Sequence, residues 1–156
     1  EFMMSAGLYL AKAAGEIRLV SNDSHQQPEL DYHLLDHPYD LERMRAGVRM
    51  QIELGKHSAY KGILKEVKDP LPEDLESDET LDKWLLSRAQ TMHHISCTAR
   101  MGAADDPMAV TNQYGQVHGI EGLRIADLSI MPDCPRANTN SPAMMIGERI
   151  ADFMSR

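Results

Sequence analysis

The residue types best suited to chemistry in this 156-residue chain are the imidazole pair His93-His94 and, further on, the carboxamide of Asn138. An unperturbed imidazole titrates near pH ~6.5, so either histidine is a candidate general base at neutral pH. Adjacent residues of a strand point to opposite faces, so only one of the two can serve a given site while the other packs or is solvated. A histidine in such a setting is more often structural than catalytic, and for Asn138 alone the stabiliser of an Asx turn is the stronger reading. A third feature adds weight. Ser141 suits a helix N-cap and Pro142 the first helical position, so the N–H groups and dipole there would favour negative charge placed at Asn138 to Ser141. The plainer reading of that feature is an ordinary capped helix.

Other site types fit poorly. Zinc would want clustered Cys and His, whereas Cys97, Cys134 and His118 are scattered and no C-x-x-C occurs, so no metal site is expected. A serine hydrolase would want Gly-x-Ser-x-Gly, which is absent, and Gly115, Gly119 and Gly122 miss the G-x-G-x-x-G spacing of a dinucleotide-binding turn. A net charge of -8 and a pI near 5.3 argue against nucleic acid, which is bound by basic groups that displace counterions. No apolar run approaches the roughly 20 residues of a membrane span and no charged-then-apolar leader is present, so the chain reads as soluble. Two cysteines without a disulfide pattern favour a reducing, cytoplasmic setting.

The elements that must position these residues are legible in outline. Glu1-Phe2 ahead of Met3-Met4 reads as a remnant of cloning and is excluded from fold reasoning. Residues 15–21 alternate Ile17 and Leu19 with polar neighbours, and residues 28–35 place Leu30, Tyr32 and Leu34 on one face. Two such stretches across a polar loop predict an antiparallel pair. Asp36-His37-Pro38 begins a helix whose Leu41, Met44, Val48 and Ile52 recur at helical spacing, with Arg43, Arg45 and Arg49 on a solvated side. Ser77-Asp78-Glu79 opens a second helix with Trp84 in the core. Residues 122–127 alternate as a strand ending at Asp127, and a last helix carries Ile146, Ile150, Phe153 and Met154 as its apolar stripe, with Gly147 and Ala151 permitting close approach. The predicted helices lie near 38–54, 78–90 and 142–154.

These segments together resemble the carboxyl-terminal third of the glucose–methanol–choline family of FAD-dependent oxidoreductases. Residues 94–102, H-I-S-C-T-A-R-M-G, look like that family's H-P-x-x-T-x-R-M-G segment, and residues 119–132 look like its G-x-x-G-L-R-V-x-D-x-S-x-M-P segment. Asn138-Thr139-Asn140-Ser141-Pro142 and Ile146-Gly147-Glu148-Arg149 continue the pattern, and Gly15 to Leu19 with Asp40 to Arg43 resemble the strand and helix of its substrate domain. Ile95 in place of the usual Pro and the extra His93 are departures. The resemblance implies that His94 accepts a substrate hydroxyl proton while hydride passes from carbon to flavin N5. It implies Asn138 as the second member of the pair, and Asp127, Asn140, Ser141 and Pro142 against the flavin.

The resemblance further implies an α+β fold, a mainly antiparallel sheet with flanking helices. On this reading residues 1–4 are the start, 5–121 a substrate-domain-like region carrying the His94 strand, and 122–156 a segment that completes the FAD domain of an intact relative. The family's amino-terminal Rossmann half has no counterpart, so the chain is expected to be a fragment. Its expected partners are a small-molecule alcohol and that amino-terminal FAD-binding half, or a second copy covering exposed apolar surface. By itself it is expected to bind FAD weakly and turn over no alcohol. The alternative is a non-catalytic binding or interaction module that kept the fold without the cofactor.

Overall fold

The computed structural model describes residues 3–156, so the reading of Glu1-Phe2 lies outside the described residues. The order of elements is β1 (Glu16–Arg18), β2 (Glu29–Asp31), α1 (Pro38–Gly55), α2 (Asp78–Arg88) and α3 (Asn140–Met154), with short 3-10 turns between them. The chain divides into two compact units. One runs to Gly15 and resumes over Glu29–Gln90, and the other holds Glu16–Pro28 and Thr91–Arg156.

The α+β class holds, but a mainly antiparallel sheet does not, because the named strands are two stretches of three residues each. Backbone angles explain the shortening. His33 and Leu35 take φ of 47° and 61°, which takes the second stretch out of the extended region soon after Asp31. The expected His94 strand is an extended loop, interrupted by φ of 61° at His93 and 71° at Cys97. Residues 122–127 likewise form no strand. Arg124 makes one isolated antiparallel bridge to Gln116, after which the chain tightens into the 3-10 turn Leu128–Ile130.

In the first unit, α1 starts as its residues dictate: Pro38 occupies the first turn and His37 caps it, its Nδ1 accepting from the Tyr39 N–H at 3.2 Å. Val48 packs with Leu35, Leu81 and Leu85 to form the buried cluster, with Leu41, Met44 and Leu75 around it. Trp84 lies at the rim of this cluster, not at its centre, because its indole N–H needs a polar partner and finds Asp69 Oδ1 at 2.8 Å. The arginines assigned to a solvated side are partly engaged. Arg43 donates to the carbonyls of Tyr9 and Leu10 at 2.8 and 3.2 Å, beside the fully buried Asp40, whose Oδ2 accepts from the N–H groups of Lys12 and Ala13. Residues 9–13 are thereby strapped across the first turn of α1. Arg45 and Arg49 both reach Asp78 at the head of α2.

In the second unit, Ile146 and Ile150 of α3 close on Ile130, with Met101, Ile125, Leu128, Met131 and Phe153 around them. Met154, expected in the apolar stripe, is 69% exposed. Gly115 turns the chain with φ of 70°, where a Cβ would fall 2.6 Å from the Ile125 carbonyl oxygen and 2.8 Å from Ile150 Cδ1.

Two outcomes follow from this packing. The Asp78 carboxyl is held below its ordinary value of 3.8, first by the hydrogen bond from Arg49, with the charges of Arg45 and Arg49 adding and burial opposing. A depressed folded value means that this stability is present above the unfolded carboxylate range and is lost as pH falls through the folded value. Asp78→Asn is expected to lower the melting temperature at neutral pH, by a margin that shrinks as the pH is taken below 3.8; melts over a pH series read this directly. Gly115→Ala combines left-handed backbone with overpacking and is expected to cost about 2–3 kcal/mol in denaturant unfolding.

Candidate functional site

The loop that carries His94 is set by backbone hydrogen bonds to the 3-10 turn beyond Asp127. The N–H groups of Cys97, Ala99 and Met101 donate to the carbonyls of Leu128, Ser129 and Ile130 at 3.2, 2.9 and 2.8 Å. Leu128 O also accepts from the Met131 N–H at 3.2 Å, so the His94 loop and the segment leading to α3 are fastened to one carbonyl. Farther along, His94 Nδ1 lies 2.9 Å from the hydroxyl oxygen of Thr139. Two segments distant in sequence are thus joined at both ends.

This arrangement gathers several of the expected residues. His94 is half-buried, while His93 is exposed, its backbone N–H donating to Thr91 Oγ1 at 3.0 Å. Asn138 is exposed and directly precedes Thr139, which places its carboxamide one residue from the partner of His94. Asn140 and Ser141 are the first two helical residues of α3, both exposed, and Pro142 is half-buried behind them. The helix therefore begins earlier than expected: Thr139 is its N-cap, and Ser141 and Pro142 stand inside the first turn. Asp127 is exposed, and its Oδ1 accepts from the Ser129 N–H at 2.7 Å, which caps the 3-10 turn. Its nearest role is to shape the turn that receives the His94 loop.

Sequence reasoning missed Thr139. It is buried to 3% exposure, and its hydroxyl engages the His94 ring. A signal was available. A capping threonine takes the N–H of the second or third helical residue, but the third residue here is Pro142, which has none. No side-chain capping bond forms, and the hydroxyl turns to the imidazole instead.

Around this centre, Arg100 pairs with Asp106 at 2.7 Å, and His118 Nε2 lies 3.2 Å from Gly102 O. Cys97 and Cys134 are free thiols. Burial pushes the Cys97 thiol above its ordinary value of 9.0, with the Ser96 hydroxyl pulling the other way. Among the described residues no cluster of His, Cys, Asp and Glu is set to hold a metal ion, and no helix is long and apolar enough to cross a membrane.

The structure thus brings a half-buried imidazole to the N-cap residue of α3, next in sequence to an exposed Asn138. The family model described as GMC oxidoreductase, for the carboxyl-terminal part, matches residues 11–147, and the chain belongs to that family. It is 37% identical over 156 residues to an oxygen-dependent choline dehydrogenase of Stenotrophomonas maltophilia, covering 98% of this chain and 27% of that protein. It is 38% identical over 151 residues to a 5-(hydroxymethyl)furfural oxidase of Methylovorus sp., covering 90% of this chain and 28% of that one. Among solved structures, a formate oxidase of Aspergillus oryzae, studied for its FAD modification, aligns with a TM-score of 0.83 and 32% identity over 93% of this chain and 25% of its own. The chain spans about a quarter of the length of the curated relatives it matches.

Proposed function

We propose that this chain is the carboxyl-terminal portion of an FAD-dependent oxidoreductase that oxidises a small alcohol, with His94 as the base for the hydroxyl proton and Asn138 orienting that hydroxyl. The observation that carries this reading is the 2.9 Å bond between His94 Nδ1 and Thr139, which holds an imidazole at the head of α3 beside Asn138. Two relatives are named for choline and for 5-(hydroxymethyl)furfural, both of which bear a primary alcohol, and this supports the substrate class.

The head of α3 suits the flavin of FAD. Thr139 gives its first turn no side-chain cap, so the N–H groups of Asn140 and Ser141 are available to an electron-rich ring edge, where the helix dipole adds to them. Asp127, Asn140, Ser141 and Pro142 are the residues we assign to that side. When bound, FAD supplies the hydride acceptor. The chain's own residues hold the substrate hydroxyl between Asn138 and His94 and receive its proton on the imidazole. Positioning of this kind converts an encounter into an effectively unimolecular step.

The rest of the cofactor falls to an amino-terminal half, and we assign residues 5–121 to the substrate domain and 122–156 to the completion of the FAD domain. Met144 and Met154 on α3 are 59% and 69% exposed, and apart from its own helix backbone and chain neighbours nothing lies within 4 Å of where a Gly147 Cβ would stand between them. That face is open for the amino-terminal half to cover, in keeping with the small share of the relatives' length present here.

In the full-length, FAD-loaded protein, His94→Ala is expected to slow anaerobic flavin reduction by an alcohol by about 10²–10⁴-fold, the usual scale for an acid–base group. Near-normal reduction by that variant would assign the base elsewhere, with His93 next to be tested. The 156-residue chain alone is expected to lose FAD on gel filtration and to oxidise no alcohol. A stoichiometric yellow spectrum eluting with it would overturn the assignment of the cofactor's other half to absent residues.

A further inference from the structure

We infer that Thr139 is a positioning residue that fixes the tautomer of His94, so that Nε2 is the nitrogen that takes the substrate proton. The inference rests on His94 acting as the base and adds to that reading which of its atoms reacts and what holds it there.

The case starts from the helix cap. Thr139 stands at the N-cap of α3 with φ -96° and ψ 0°, away from the extended conformation usual for a capping side chain, and makes no capping bond. Pro142, at the third helical position, offers no N–H for it to take. The hydroxyl is 3% exposed together with the rest of the residue, so water is a poor substitute partner, and the contact the structure gives it is His94 Nδ1 at 2.9 Å.

A hydroxyl can donate or accept, so the contact admits two tautomers of a neutral imidazole. Base catalysis separates them. A base must present a lone pair to the substrate and, having taken the proton, carries hydrogen on both nitrogens. If Nδ1–H donates to Thr139 Oγ1 before the transfer, the same bond survives after it and Nε2 alone changes state. If Thr139 instead donated to Nδ1, Nε2 would already carry hydrogen and could accept nothing, and protonating Nδ1 would break the bond that positions the ring. The first arrangement keeps the ring still through the cycle, as preorganised sites require. Thr139 thus acts through His94, without touching the substrate.

The experiment uses the full-length, FAD-loaded protein with 15N-labelled histidine, comparing wild type with Thr139→Val, which keeps the shape and removes the hydroxyl, and Thr139→Ser, which keeps the hydroxyl. At alkaline pH the wild-type His94 is expected to show a protonated Nδ1 and a bare Nε2, and Thr139→Ser the same, while Thr139→Val shows a mixture of tautomers. Flavin reduction is expected to fall about 5–10-fold in Thr139→Val at saturating substrate, the scale of one neutral hydrogen bond, and to stay near wild type in Thr139→Ser. A wild-type His94 with hydrogen on Nε2 would overturn the inference, as would a Thr139→Val variant unchanged in both tautomer and rate. His94→Ala with undiminished flavin reduction would instead sink the base assignment, and the tautomer spectra would still report on Thr139 separately.

Discussion

The site depends on the docking of residues 97–101 onto the turn Leu128–Ile130. Neither stretch is long enough to form a sheet, and each would leave its backbone groups unsatisfied without the other. The donor segment bends at Thr98-Ala99, and alternate N–H groups, those of Cys97, Ala99 and Met101, meet three successive carbonyls of a compact turn. Asp127 makes that turn compact by capping it from its own side chain. The core of the second unit then closes over the junction, with Ile130 at 1% exposure between Ile146 and Ile150 of α3. A displacement of the turn would move α3 and the His94 loop together. The imidazole and the helix head are therefore placed by one piece of structure, and this is why a single 2.9 Å contact between them can be held.

Much of the helical framework was legible in the residues. Pro38, Ser77 and the apolar spacing of the last helix located three helices to within a few positions, because caps and periodicity are local signals. The two early strands fall inside the alternating stretches 15–21 and 28–35 but are shorter than they suggest, and the strands expected at His94 and 122–127 do not form, since positive φ at His33, Leu35, His93 and Cys97 belongs to no motif that residue type announces. His94 and Asn138 were singled out by chemistry and spacing, and the fold sets Asn138 one residue from the group that touches His94. Thr139 does not stand out in the sequence, because the Ser141-Pro142 pair offers a more usual cap two residues later. Its cap position follows only once the first turn is set at Asn140, two residues before Pro142, and there its hydroxyl makes no capping bond.

The first unit shows what lies beyond local pattern in another way. Arg43, Arg45 and Arg49 have the spacing of a solvated helix face, and exposed ion pairs of that kind contribute little by themselves. What distinguishes them is where their partners come from. Arg43 takes carbonyls of Tyr9 and Leu10, and Arg45 and Arg49 converge on Asp78, a first-turn acid of α2 whose charge already suits the dipole of its own helix. The arginines thus act at helix ends and on a strap, positions that helical periodicity within α1 does not reveal.

The placement of a base at a helix N-terminus carries an electrostatic consequence. The first N–H groups and the dipole of that helix favour negative charge placed nearby. In the proposed reaction His94 takes the proton while the flavin, which Asn140 and Ser141 would hold, would supply the electron acceptor, so the helix donors and the charged imidazole would favour the same negative charge. Thr139 fits that scheme because a neutral hydroxyl holds the ring without itself compensating the charge, as a carboxylate in its place would. A negative charge held at the head of α3 would offset the charge on the imidazole, and the two transfers would support one another there.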